Sequence, residues 1–369
     1  MIGVGSTGPT GPEDERERRD LPSANTNPPA APARPLTPAE DRAYWLAFSL
    51  VPGLGPAGFA HLLRRYGSAA AAWQAGDRAL AELPRLPASA LPMYRQMHRT
   101  GADRVAQRLV AGTRSAGGRV VTALDPGYPP ALGALEPRPP VLHVVGDDAA
   151  FRIRSVAIVG TRRATGYGLA SATEIADELA RAGVVVSGLA IGIDGAAHRA
   201  CTSAGGRSVA VLPSPLDRIY PPRHAALARE IVRLGGALVT ELPIGAAVGR
   251  PDFARRNRII AALAEAVVVV EAPDRSGALL TATAATAIGR ELYAVPGQMD
   301  AVASRGCNRL IADQQATIVT SPAALLQQIG LARGQQPPVV ASLSDAEGRL
   351  LAHLLRQSGS LEELVDRPI

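Results

Sequence analysis

VAIVGTRRATGYG, Val156–Gly168, is an apolar run that ends in glycine and then opens towards a helix. The same grammar recurs in SGLAIGIDGAAH (Ser187–His198), in VVVVEA (Val267–Ala272) followed by SGALLTA (Ser276–Ala282), and in VPG (Val295–Gly297). Strands are expected at Val156–Val159, Val184–Ser187, Ser208–Leu212, Ala237–Thr240, Val267–Glu271 and Leu292–Val295. Helices are expected between them, at Leu169–Ala182, Asp194–Ala204, His224–Leu234, Phe253–Ala264 and Ala278–Ile288. The strands are near-continuous apolar runs, which predicts an α/β fold with a parallel sheet covered on both faces. Ligands of such sheets sit beyond the carboxyl ends of the strands, where these glycine loops fall. Backbone N–H groups and positive helix ends gather there, a setting suited to a polyanion.

The loop residues sharpen that expectation. After Gly160 comes Thr161-Arg162-Arg163, not the spacing of a dinucleotide fingerprint, and the second strand ends in Ser187-Gly188 with no acid. A nicotinamide or flavin is therefore poorly matched. Arg162, two residues beyond the strand-end glycine, suits a phosphate oxygen, with Arg163 a second candidate; the plainer alternative is an arginine paired to a carboxylate. FARRNR (Phe253–Arg258) follows a loop containing Arg250, so four arginines and an aromatic lie within nine residues. Cations that track a backbone beside a ring that stacks on an unpaired base are the means of holding single-stranded nucleic acid. The plainer alternatives are a core aromatic for Phe253 and a solvated face for Arg255 and Arg256. Ser276 is expected to cap a helix and leave its amides facing an anion. Asp194 is expected as an N-cap and His198 as a hydrogen-bonded core histidine. There is no Ser-centred elbow. The acids Asp194, Glu241 and Glu271 are single, and Glu271 at a strand end is the one most worth testing. The pattern is that of a binding site and not of an enzyme.

Composition bounds the rest. The 369 residues suggest two or three domains. All 39 basic residues are arginine, the formal net charge is +6 and 47% of residues are hydrophobic. The absence of lysine excludes a Schiff-base lysine and the Gly-Lys-Ser/Thr phosphate loop. Cys201 and Cys307 lie far apart, and the six histidines form no metal-ligand pair, so neither a metal nor a disulfide framework is expected. No secretory signal or membrane span is legible, and a reducing cytoplasm is the expected compartment.

Residues 1–36, rich in Pro, Gly, Ser and Asn, are expected to be a disordered tail. Residues 37–115 read as a small helical domain. Thr37-Pro38-Ala39-Glu40 is a helix start, and Val51-Pro52-Gly53-Leu54-Gly55-Pro56 is a turn to a second helix that Gly67 closes. That hairpin is either a plain glycine turn or a helix–hairpin–helix that touches DNA phosphate. Val120–Thr122 and Val141–Val145 are short strands leading into the main domain, residues 120–330. Residues 331–341 form a linker, and 342–369 carry two helix starts.

Taken in order, VAIVGTRRATGYG, SGLAIGIDGAAH, SVAVLPSPLDRIYPP, RRNRIIAAL, VVVVEAPDRSGALLTA, ELYAVPG and GCNRLIAD make the chain resemble the DprA (DNA processing protein A, or Smf) family. The resemblance implies an extended Rossmann-like domain. A sterile-alpha-motif-like or helix–hairpin–helix domain would precede it, and a truncated winged-helix-like remnant would follow. It also implies a non-enzymatic protein that binds and protects single-stranded DNA in natural transformation. Such a protein loads the RecA recombinase, works beside the single-strand-binding protein and forms homodimers. Carried over by position, Arg162 and Arg250 would contact phosphate and Phe253 would stack on a base. Asn257 and Arg258 would shape the pocket, lined by Gly160, Thr161 and Gly188. Pro213 and Pro215 stand where the family usually has glycine, which stiffens that loop against close phosphate approach. Asp313-Gln314-Gln315-Ala316 replaces the family's Asp-Gly-Ala. The rival reading is a nucleotide-processing hydrolase of the phosphoribohydrolase type, whose Pro-Gly-Gly-x-Gly-Thr loop has no counterpart here; a purely structural interaction protein is the third.

Overall fold

The computed structural model describes residues 37–84 and 86–331. The expected tail and the C-terminal helix starts lie outside the described residues, as does the linker after Leu331.

Six helices come first: α1 (Pro38–Ser49), α2 (Pro56–Tyr66), α3 (Ala69–Gln74), α4 (Asp77–Ala81), α5 (Ala90–Thr100) and α6 (Ala102–Ser115). The predicted start at Thr37 is a full capping box. The Thr37 amide donates to Glu40 at 2.8 Å, and the Thr37 hydroxyl accepts from the Glu40 amide at 3.3 Å. Gly67, at φ +79°, closes α2 in the left-handed region, where glycine carries no steric penalty. Phe48, Trp73 and Tyr94 pack ring against ring, and the Tyr94 hydroxyl donates to the Trp73 carbonyl at 2.9 Å. Buried Asp41 accepts from the Trp45 indole and the Ala69 and Ala70 amides, so a core carboxylate is fully used in joining α1 to α3. In the α1–α2 turn, Pro87 stands over Gly53, while nothing lies near Gly55.

The sheet follows: β1 (Arg119–Thr122), β2 (Val141–Gly146), β3 (Ser155–Val159), α7 (Gly166–Ala180), β4 (Val184–Ser187), α8 (Ile193–Ser203), β5 (Ser208–Val211), α9 (Ala225–Arg233), β6 (Ala237–Thr240), α10 (Arg250–Leu263), β7 (Ala266–Val269), α11 (Gly277–Ala287), β8 (Glu291–Ala294), α12 (Arg305–Ala312), β9 (Thr317–Ile318) and α13 (Pro322–Gln328). The order is β1-β2-β6-β5-β4-β3-β7-β8-β9. All pairings from β6 to β9 are parallel, as predicted; β2 and β1 extend that sheet as an antiparallel edge. The two short strands thus belong to the sheet itself. The helical part packs on this edge through Leu46, Ala106, Leu109, Val120 and Val141. There the Thr113 hydroxyl meets His143 Nδ1 at 2.9 Å.

Successive strand residues feed opposite faces. Ala157, Val159, Val267 and Val269 pack with α10 and α11, whereas Val156, Ile158, Ala266 and Val268 pack with α7, α8 and α13. Two covered faces explain why the strands read as unbroken apolar runs. From β3 the chain steps outward through β4, β5 and β6, then returns to β7 on the other side of β3. The switch point therefore lies between β3 and β7, with their carboxyl ends opening one crevice. Helices α12 and α13 were not anticipated. Gln314, in the departure from Asp-Gly-Ala, takes φ +56° just after α12.

Candidate functional site

Three loops meet at the crevice. The β3–α7 loop supplies Gly160–Arg163, the β4–α8 loop Ala190 with Asp194 from the first turn of α8, and the β7–α11 loop with the start of α11 Pro273 and Arg275–Ala278; α10 forms the floor with Arg256, Asn257 and Ile260. They enclose a cavity of about 340 Å³ that four arginines line (Arg162, Arg163, Arg256 and Arg275) against the single carboxylate of Asp194. Arg162, Arg163 and Arg275 make no ion pair with any described residue. The expected set Gly160, Thr161, Arg162, Arg163, Asn257 and Ser276 is brought together here.

Two of the three loops are tied down by a buried acid. Glu271, 2% exposed, accepts from the Thr165 amide at 2.8 Å and its hydroxyl at 2.6 Å, while the Thr165 hydroxyl caps α7 by accepting from the Gly168 amide at 3.1 Å. That capping starts α7 a turn earlier than expected. Glu271→Ala should cost about 1–3 kcal/mol in a thermal melt, because two donors lose their acceptor; an unchanged melt would show the tie to be dispensable.

Asp194 is not the cap of α8. Gly192, at φ +81°, holds that position, and a Cβ there would run into the Thr161 carbonyl oxygen. Asp194 sits inside the first turn and accepts from the Gly188 amide at 3.1 Å. Burial pushes its carboxyl above the usual carboxylate range, opposed by the Arg256 charge and by backbone hydrogen bonds at Ala190, Gly188 and Gly160. Leu189, at φ +56°, holds a strained left-handed backbone in the same loop.

Arg256 departs furthest from expectation. Its side chain is buried, not on a solvated face. Its guanidinium donates to the Gly188 and Val211 carbonyls, and its Nε donates to Asn257 at 3.2 Å. Burial lowers its pKa to about 10, against the pull of Asp194, so it stays cationic at neutral pH. A signal was present: Arg256 shares the inward face of α10 with Ile259, Ile260 and Leu263, at helical spacing. Gly188 accordingly contributes a carbonyl to Arg256 and an amide to Asp194.

The remaining arginines of the cluster are scattered around α10, because each residue advances about 100°. Arg250 opens the helix and makes no ion pair with a described residue. Arg255 lies 3.5 Å from Asp252. Arg258 turns to Glu241 and the Pro137 carbonyl, so its side chain does not line the crevice, contrary to the expectation that it shapes the pocket. Phe253 is half-buried, with the Arg162 guanidinium 4.9 Å from its ring centroid and Tyr220 at 5.4 Å. Arg275 and Tyr220 had not been singled out. Pro213 and Pro215 are buried. His198 is hydrogen-bonded at one nitrogen, to Ser208 Oγ at 2.7 Å; its Nε2 has no partner among the described residues.

The model of the family named DNA recombination-mediator protein A matches residues 119–330, the sheet and all the crevice loops. The chain belongs to this family. The protein Smf of Synechocystis sp. is 34% identical over 316 residues, covering 81% of this chain and 76% of that one. The crystal structure of DprA from Streptococcus pneumoniae superposes with a TM-score of 0.65 at 28% identity, over 80% of this chain and 99% of that one. DprA from Helicobacter pylori, described for its single-stranded DNA binding mode, superposes with a TM-score of 0.53 at 28% identity, over 58% of this chain and 97% of that one. The Rossmann-like architecture with a helical part before it, expected from the resemblance, is the architecture observed. Among the described residues, no helix is long and apolar enough to cross a membrane.

Proposed function

We propose that the crevice between β3 and β7 holds single-stranded DNA by its phosphates, and that the protein is a recombination mediator that neither cuts nor modifies the strand. The observation that carries this is the arginine-lined cavity at the switch point, with three of its four guanidiniums unpaired among the described residues. Guanidiniums fork onto phosphate oxygens, and the N-terminus of α11 at Ser276 adds backbone donors. The binding mode named for the Helicobacter pylori relative supports the single-strand preference. The acids of the site are already bonded to the backbone and to Thr165, which suits a scaffold role. In this reading the protein shields incoming strands in the cytoplasm during natural transformation. It passes them to the RecA recombinase beside the single-strand-binding protein, acting as a homodimer.

The test is fluorescence anisotropy with labelled single-stranded and duplex oligonucleotides across a salt series. Single strands should bind tighter, and binding should weaken with salt. Arg162→Ala should lower affinity roughly tenfold for all sequences alike and flatten the salt slope by about 0.7–1. Arg250→Ala should act in the same sense. Unchanged affinity in both variants would remove the crevice as the site. Free base released from nucleoside monophosphates would instead establish the hydrolase reading.

A further inference from the structure

The ring that sequence assigns to base stacking is not the open ring of the site. Phe253 is half-buried, and one face carries the Arg162 guanidinium, 4.9 Å from the centroid. Tyr220, from the loop between β5 and α9, meets Phe253 at 5.4 Å with an interplanar angle of 81°. Planes so nearly perpendicular cannot both lie flat on one base, so a base stacks on one ring or the other. Tyr220 is 43% exposed, and its hydroxyl has no partner among the described residues. Two exposed cations flank it in the same loop: Arg218, which donates to the Ala246 carbonyl at 2.8 Å, and Arg223.

We propose that Tyr220 is the base-stacking platform of the strand path, with Phe253 as its buttress. The assignment rests on the single-strand reading above and makes it more specific. A phenol ring offers a π face to any base but demands that the base have a free face of its own, so it accepts unpaired strands without regard to sequence. Arg162 links this platform to the crevice, because it both covers Phe253 and lines the cavity. The path therefore runs from the phosphate crevice over the aromatic pair towards Arg218 and Arg223. The loop that supplies the platform also carries Pro213 and Pro215.

The experiment measures oligothymidine affinity for wild type, Tyr220→Ala, Tyr220→Leu and Tyr220→Phe at several salt concentrations, with a thermal melt of each. Alanine and leucine should both weaken binding about 5- to 150-fold. Phenylalanine should stay within about twofold of wild type, because the ring is kept. The salt slope should not change, since no phosphate contact is removed. An oligonucleotide made wholly of abasic sites should bind all four proteins alike. If wild type binds and Tyr220→Ala binds equally well, the platform assignment falls while the crevice reading stands. A loss that persists on the abasic strand, or that comes with a flatter salt slope, also overturns it. Wild type indifferent to oligothymidine at low salt overturns both readings.

Discussion

Arg256→Ala should remove about 3–5 kcal/mol of folding stability, measured by urea unfolding. The guanidinium is buried, and its loss leaves the Gly188 and Val211 carbonyls without their donor. It also leaves Asp194 without the charge that keeps its carboxyl from rising further. Such a loss is a large share of the roughly 5–15 kcal/mol that holds a typical domain together. Arg256→Lys should recover only part of it, since an ammonium cannot reproduce a planar fork onto two carbonyls. Affinity for DNA should fall as well, because the β4–α8 loop that Gly188 begins would lose its anchor. A cost below about 1 kcal/mol would show that the buried cation is not the strut between the ends of β4 and β5.

Acid should weaken the fold through two core histidines. Burial lowers His143 to about 4 and His198 to about 3, with the nearby His224 and Arg256 charges adding to the latter. In the native state both stay neutral from pH 6.5 down to those values, whereas the unfolded chain takes up a proton at each near pH 6.5. The unfolded state then binds more protons, so stability falls as pH falls. The contribution is complete above pH 6.5 and declines from there down to about pH 4 for His143 and about pH 3 for His198. Each histidine costs about 1.4 kcal/mol per pH unit inside its window, so at pH 4.5 the two together cost about 5 kcal/mol. Asp194 and Glu241, whose carboxyls burial raises, shift stability in the opposite sense. They are common to wild type and variant, so the decisive quantity is the difference in pH slope between wild type and His143→Gln or His198→Gln. Identical slopes would show these histidines titrating normally in the fold.

Much of the fold was legible because its causes are local. Thr37 with Glu40, Gly67 and Ser276 each place a helix end through a bond to a near neighbour. The strands announced themselves because both faces of the sheet are covered, leaving no polar alternation to confuse with another period. Helix α10 began a turn earlier than expected, where Asp252 accepts from the Gly249 amide at 2.8 Å. Asp194 was misplaced because a polar residue near a helix start looks alike whether it caps the end or lies just inside it. The site was half legible. Arg162, Arg163, Asn257 and Ser276 line the crevice, whereas Arg258 turns away from it and Arg256 supports it from beneath.

Sequence alone determined the alternation of buried strands and helices and the gathering of glycine loops at one rim, because hydrophobic period and capping act within a few residues of themselves. The tertiary structure decided which cations stay free for a ligand and which ring stays open. Arg256 meets a carbonyl 68 residues away, Arg258 meets an acid 17 residues away, and Phe253 lies beneath Arg162. Pairing and burial are settled between distant segments once the sheet has formed, so charge counted along the chain cannot say what charge the surface retains.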